Sequence, residues 1–148
     1  RTLTRRDIMD RRHFVRLGLA SSAAGLLLPA AVRAEGDALA TPFAGGIYYT
    51  RANPGRWAEK AAGHAPVVET SGKMVLVTTP HEMKAHEHYI VKHLLLDANM
   101  KVLGEKMFDP TKDSAAVSEY ELTGFSGAAY ALSMCNKHDV WVTAFNVG

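Results

Sequence analysis

Short stretches rich in β-branched and aromatic residues recur along the second half of the chain, and turn-forming residues separate them. Seven such stretches cover residues 66–70, 73–79, 88–96, 100–108, 114–122, 128–134 and 140–146. Strands this short, with turns this close together, are typical of hairpins, because parallel strands need long crossover connections. The pattern therefore predicts an all-β domain in which seven antiparallel strands form a β-sandwich.

The residues before these stretches differ in composition. Residues 35–63 are rich in Gly, Ala, Pro and Thr, which predicts an extended arm ahead of the sandwich. Within the arm, Asn53-Pro54-Gly55 indicates a turn, and residues 56–62 predict one or two helical turns before Gly63. The sandwich domain itself is expected to cover residues 64–148.

The first 34 residues look like an export signal. Arg11 and Arg12 precede an apolar stretch over residues 17–32, and small residues at 31–34 resemble a signal peptidase site. The pair of arginines resembles a twin-arginine signal, which implies export of a folded protein to the periplasm. We expect the segment either to be cleaved or to stay as a membrane anchor through residues 17–34.

The charge balance narrows the range of partners. Residues 1–34 carry seven Arg and two acidic residues, whereas the rest of the chain carries ten basic and thirteen acidic residues. A body with a net charge of −3 offers no basic stripe for a phosphate backbone, so nucleic acid is not an expected partner. Cys135 is the single cysteine, which excludes an intrachain disulfide.

Histidines and this cysteine cluster at the ends of predicted strands. Cys135-Asn136-Lys137-His138 joins two strands, so that a thiolate and an imidazole from one tight loop can reach the same metal. Upstream, three histidines lie within eight residues, and one more precedes the first strand: His81, His86, His88 and His64.

A lone cysteine is more often a small buried apolar residue, and a histidine-rich loop is more often solvated. Three separate clusters at strand ends nevertheless favour a site for iron, zinc or copper. His93 and His13 lack this setting. We expect His93 on the surface of a strand and His13 within the export signal.

Three segments resemble the superoxide reductase family, which comprises the neelaredoxins and the iron domain of the desulfoferrodoxins. They read HAPVVE from residue 64, HEMKAHEHYI from residue 81 and CNKHDVW from residue 135. The resemblance implies a seven-stranded immunoglobulin-like antiparallel sandwich that holds a mononuclear non-haem iron. It also implies reduction of superoxide to hydrogen peroxide.

The resemblance assigns roles to individual residues. It implies four equatorial ligands and an axial thiolate: His64, His81, His88, His138 and Cys135 respectively. His88 is preferred to His86 because Tyr89-Ile90 follows it, although the loop is one residue longer here and His86 stays a rival.

The family often has Glu-Lys immediately before the first histidine, whereas this chain has Ala62-Gly63. Glu59 and Lys60 lie slightly upstream. Lys60 and Lys137 are therefore the expected sources of positive charge near the opening, with Lys84 as a further candidate. The chain has no CxxC pair for a second redox centre, so the resemblance implies an external electron donor. A homo-oligomer is compatible with these features.

Two other functions stay open. The first is a non-catalytic accessory subunit of a membrane complex, anchored through residues 17–32, whose iron site is structural, vestigial or used for electron transfer. The second is a sulfur-compound carrier similar to the SoxZ-like proteins, whose loop resembles the segment at His81 but which leaves Cys135 and His138 unexplained.

Overall fold

The computed structural model describes residues 39–148. The signal or anchor predicted over residues 1–34, and the first residues of the predicted arm, lie outside this described part. Within it, no helix is both long enough and apolar enough to cross a membrane. The predicted domain boundaries stay predictions.

Seven strands form, and each lies where the sequence pattern predicts one. They are β1 (Val67–Ser71), β2 (Met74–Thr79), β3 (Ile90–Asp97), β4 (Val102–Met107), β5 (Ala116–Glu121), β6 (Gly127–Cys135) and β7 (Asp139–Val147). Turn chemistry ends them as expected. Gly72, between β1 and β2, has a φ of 58°, and the Asp97 carboxylate accepts the backbone N–H groups of Asn99 and Lys101 after β3.

The strands form two antiparallel sheets. One sheet has the order β1-β2-β5 and the other has the order β4-β3-β6-β7. The chain crosses from one sheet to the other between β2 and β3, between β4 and β5 and between β5 and β6. The predicted seven-stranded antiparallel architecture is confirmed.

Alternating side chains fill the space between the sheets. In β2 every second residue is buried, and Val75 and Val77 face the inner side chains of the other sheet. Those partners include Leu95 from β3 and Phe145 from β7. This period of two is the pattern expected of strands that have one face in the core.

His93 corrects one expectation. We expected it on a strand surface, but it is fully buried in β3. Its ring lies 2.8 Å from Thr79 Oγ1 and 2.7 Å from Ser118 Oγ, and Thr79 Oγ1 in turn donates to Ser133 Oγ at 2.7 Å. A polar side chain is accepted in a core when its hydrogen bonds are satisfied, and here four strands supply the members of one buried network.

The segment before β1 packs against the edge strand of the larger sheet. Tyr49 pairs with β7 as an isolated bridge, donating its N–H to Val140 and accepting one from Val142. A 3₁₀ helix (Gly55–Lys60) and one α-helical turn, α1 (Ala61–His64), follow. The predicted helical turns form, but they continue through Gly63 to His64 and do not end before Gly63. The pairing with Tyr49 covers part of an edge that would otherwise be open.

Candidate metal centre

Five side chains meet at one end of the sandwich. His64 is the last residue of α1, His81 follows β2, and His88 precedes β3. Cys135 is the last residue of β6, and His138 immediately precedes β7. The strand register explains the meeting, because Cys135 pairs with Ile90 of β3 on one side and with Asp139 of β7 on the other.

The ligand atoms of these five residues all lie within 4.8 Å of one another. Around the cluster, His64 Nε2 lies 2.9 Å from His138 Nδ1, which lies 3.0 Å from His88 Nε2. His88 Nε2 lies 3.0 Å from His81 Nε2. Cys135 Sγ lies farther away, at 3.6 Å from His138 Nδ1 and 4.0 Å from His81 Nε2.

These contacts are too many for hydrogen bonds alone. Each imidazole nitrogen has a single in-plane site, which holds either a hydrogen or a lone pair. His138 Nδ1 and His88 Nε2 each approach two other nitrogens at hydrogen-bond distance, so one of the approaches to each atom must be made without a hydrogen bond. A bound cation at the centre would remove this conflict.

Two of the imidazoles are fixed in the tautomer that a metal requires. His64 Nδ1 donates to the backbone carbonyl of Lys60 at 3.0 Å, and His81 Nδ1 is held by the carbonyl of Glu82. Since a carbonyl can only accept, Nδ1 carries the hydrogen in both rings and Nε2 presents its lone pair to the cluster. A backbone carbonyl on the far nitrogen is a common outer partner of metal-bound histidine.

The spacing fits a single ion. Imidazole nitrogens bind ions such as zinc at about 2.1 Å, so neighbouring ligands at right angles would lie about 3 Å apart and opposite ligands about 4.2 Å apart. The three nitrogen contacts of 2.9 to 3.0 Å match the first distance. The greater separation of the sulfur agrees in direction with a longer metal–sulfur bond.

Burial keeps the imidazoles neutral. It lowers the pKa of His64 to about 4, and it also lowers the pKa of His81, His88 and His138. Neighbouring positive charge adds to the effect, since the ammonium groups of Lys60 and Lys137 further lower the pKa of His138. Neutral rings present lone pairs, which is the state that binds a metal.

Burial has the opposite effect on the pKa of Cys135. Burial raises the pKa of its thiol, while backbone N–H groups of Lys137 and His138 act in the opposite direction. The Lys137 N–H lies 3.4 Å from the sulfur. A buried thiolate is costly without a compensating charge, so this cysteine favours a bound cation as its partner.

The loop between β2 and β3 is fastened to the turn that carries the cysteine. Asn136 Oδ1 accepts the N–H of Tyr89 at 3.0 Å, and its Nδ2 donates to the carbonyls of His86 and Glu87. Its own backbone N–H donates to the carbonyl of Tyr89 at 3.1 Å. One side chain therefore holds the segment around His88 next to Cys135 and His138.

The other predicted site residues lie at different distances from this cluster. His86 is outside it, and its exposed ring packs edge-on against Tyr89. Lys60 and Lys137 are exposed and near enough to act electrostatically on His138. Lys84 forms an exposed ion pair with Glu82 at 3.0 Å, and Glu59 is exposed on the 3₁₀ helix.

Sequence reasoning missed several residues that hold the cluster. Asn136 lies within the Cys-to-His motif but was given no role there. Trp57 packs edge-on against the His138 ring with centroids 4.7 Å apart, and Trp141 Nε1 donates to the His138 carbonyl at 2.9 Å. A position adjacent to a ligand was the available signal for Asn136, whereas Trp57 lies 81 positions from His138 and had none.

Solved structures of other proteins resemble the fold of this chain. A superoxide reductase (neelaredoxin) from Ignicoccus hospitalis aligns with a TM-score of 0.53 at 24% identity, covering 70% of this chain and 95% of that chain. The solved structures to which this chain is similar are superoxide reductases.

A variant of the Ignicoccus protein aligns with a TM-score of 0.53 at 25% identity, with 70% of this chain and 94% of that chain covered. A superoxide reductase (neelaredoxin) variant from Archaeoglobus fulgidus, in the reduced form, gives 0.50 at 21% identity, with 61% and 92% covered. No protein-family model matches the sequence, and no curated protein matches it. The likeness to these solved structures supports the fold, and the cluster of His and Cys side chains is an observation of this structure itself.

Proposed function

We propose that this protein is a mononuclear non-haem iron protein that reduces superoxide to hydrogen peroxide with an electron from an external donor. The observation that carries the proposal is the convergence of four imidazoles and one thiol within 4.8 Å, with two imidazole tautomers fixed by backbone carbonyls. Several neutral imidazoles with one thiolate suit iron, and the structural neighbours are superoxide reductases.

In this proposal His64, His81, His88 and His138 would hold the iron through imidazole nitrogens, and Cys135 would hold it through a thiolate. When bound, ferrous iron supplies one electron to superoxide, and two protons complete hydrogen peroxide. The chain's own contribution is to fix the ligands, to donate charge from sulfur and to keep the substrate side accessible. His81, His88 and His138 are partly exposed whereas His64 and Cys135 are buried, so the accessible side is the one that these three histidines share.

Superoxide is an anion, so positive charge at this side would aid its approach. Lys60 and Lys137 are exposed and act on His138, which makes them the proposed sources of that charge. The peptide before His64 carries Ala62 and Gly63, so this chain has no lysine or carboxylate directly there. The proposal therefore assigns steering to the surrounding lysines.

The test compares the full-length protein with matched histidine variants. His88→Ala should lose bound iron and superoxide consumption, whereas His86→Ala, in the same loop but outside the cluster, should keep both. Cys135→Ala should lose the visible thiolate band. A reductase should yield one hydrogen peroxide per superoxide consumed. Superoxide consumption that is unchanged in Cys135→Ala would refute the proposed reaction.

A second candidate is an accessory subunit that uses the same iron site for electron transfer. It is favoured by the residues directly before His64, where Ala62 and Gly63 stand in place of a carboxylate and a lysine that could act on a substrate. Such a protein would cycle between ferrous and ferric states with a chemical reductant and oxidant while consuming no superoxide.

We also propose that the protein functions in the periplasm after twin-arginine export, either cleaved or anchored. The support is the sequence of residues 1–34 described above. Fractionation of cells that express the full chain, with Arg11 and Arg12 each replaced by Lys in a second strain, tests this. Unchanged periplasmic recovery in the lysine variant would contradict export by this pathway.

A further inference from the structure

A set of contacts outside the ligand cluster joins the two segments that carry His64 and His138. Asp139 Oδ2 accepts a hydrogen bond from Arg56 Nη2 at 2.7 Å and another from Trp57 Nε1 at 2.8 Å. Arg56 and Trp57 lie on the 3₁₀ helix that leads into α1 and His64. Asp139 follows His138 directly, so one carboxylate ties the helical segment to the β6–β7 turn.

The same contacts place an aromatic ring against a ligand. The indole of Trp57 meets the His138 ring edge-on, with an interplanar angle of 83°. The Arg56 guanidinium lies over the Trp57 indole, 4.8 Å from the ring centroid. Trp57 is thus held by Asp139 at its nitrogen and packs on His138 with its ring.

The backbone at Asp139 is unusual. Its φ is 63°, which lies in the left-handed region that residues other than glycine seldom occupy. Asparagine and aspartate tolerate this conformation better than most residues, and here it directs the carboxylate back toward the helix. The result is a connection between residues more than 80 positions apart in the chain.

His138 depends on such support more than His64 and His81 do. His64 and His81 use Nδ1 to bond a backbone carbonyl and so fix their rings. His138 faces the cluster with Nδ1, so that atom cannot serve the same purpose. Its carbonyl is held by Trp141, and its ring plane is contacted by Trp57.

We propose that Asp139 and Trp57 are positioning residues for the metal site, acting together to set the plane of the His138 ring and the separation of His138 from His64. This inference rests on the proposed function, because it concerns the same cluster. It assigns a role to two residues that are not ligands. Outer partners of metal ligands typically change metal affinity by about 10- to 100-fold when they are replaced.

The experiment uses the full chain loaded with Co²⁺, whose visible bands report on both the thiolate and the imidazole ligands. Trp57→Phe keeps a ring on His138 but removes the N–H, and Asp139→Asn keeps the shape and tolerates the backbone while removing the charge. Each should weaken Co²⁺ binding by about 10-fold or more in competition with a chelator, and each should shift the ligand bands. The double variant should lose little beyond Trp57→Phe alone, because Asp139→Asn acts on Trp57 by weakening the hydrogen bond that Trp57→Phe removes.

Lys92→Met is the matched control, since it breaks an exposed ion pair with Glu105, also at 2.8 Å, on β3 and β4. It should leave the affinity and the bands unchanged. Bands and affinity like those of the wild type in both Trp57→Phe and Asp139→Asn would overturn the inference. Failure of the wild-type protein to bind Co²⁺ or iron would instead overturn the proposed function. Thermal unfolding without metal shows whether a variant is folded. If Asp139→Asn does not fold, Trp57→Phe alone provides the test.

Discussion

Replacing the buried His93 tests whether the core beneath the metal site depends on a neutral imidazole. His93 lies between Thr79 and Ser118, and burial lowers its pKa from 6.5 to about 4. Because Thr79 Oγ1 donates to Ser133, it must accept from His93 Nε2, which therefore carries the hydrogen. The lowered pKa keeps this ring neutral in the folded protein above about pH 4. We choose His93→Phe, which keeps a ring and cannot titrate.

The lowered pKa of His93 determines whether stability rises or falls with pH. Above pH 6.5 the imidazole is neutral in both the folded and the unfolded protein, so its protonation does not change the free energy of unfolding. As the pH falls from 6.5 toward 4, the unfolded chain binds a proton that the folded protein does not, so stability falls. At about 1.4 kcal/mol per pH unit, the total loss due to this residue is about 3 kcal/mol.

Denaturant unfolding of the metal-free protein, followed by tryptophan fluorescence between pH 7.5 and 4, measures this effect. The wild type and the variant share all other titrating groups, so the difference between their stability curves isolates His93. At neutral pH the variant should be less stable by about 1 to 3 kcal/mol, because the hydroxyl partners lose a hydrogen bond. The gap should close as the pH falls to 4. A difference that stays constant with pH would refute the assignment of a neutral buried histidine.

Three further predictions concern other parts of the molecule. Asn136→Ala should weaken metal binding by about 10-fold through the loosened loop, and chelator competition giving wild-type affinity would contradict this. Gly104→Ala should destabilise the protein by about 1 to 3 kcal/mol in denaturant unfolding, because a Cβ there would lie 2.5 Å from the Tyr120 ring; unchanged stability would contradict it. Replacing Lys60 and Lys137 by Met should slow the reaction with superoxide and reduce its salt dependence in stopped-flow measurements, and an unaltered salt dependence would exclude these lysines from steering.

The strands were predictable because their physics is local. Alternation in stretches such as 73–79, together with turn residues such as Gly72, specifies where a strand lies and where it ends. The clustering of His64, His81, His88, Cys135 and His138 follows once the strands are placed, because all five lie at strand or helix ends. The motif letters then indicate which chemistry they share.

The features that the sequence did not predict, such as the burial of His93, depend on contacts between residues that are distant in sequence. His93 looks like a surface residue among the apolar residues of β3, and only partners from three other strands make its burial tolerable. Trp57 and Asp139 likewise meet through the packing of the 3₁₀ helix against the β6–β7 turn. Neither arrangement has a periodic signature, so a single sequence does not reveal it.

The most direct test of the account is the metal content and visible spectrum of the full-length protein, before and after oxidation. The account predicts iron in an amount equal to that of the protein, with a thiolate-to-iron band in the oxidised sample. That band should vanish on reduction with ascorbate and be absent from Cys135→Ala. Zinc or no metal in the purified protein, with no such band, would contradict a redox-active iron site.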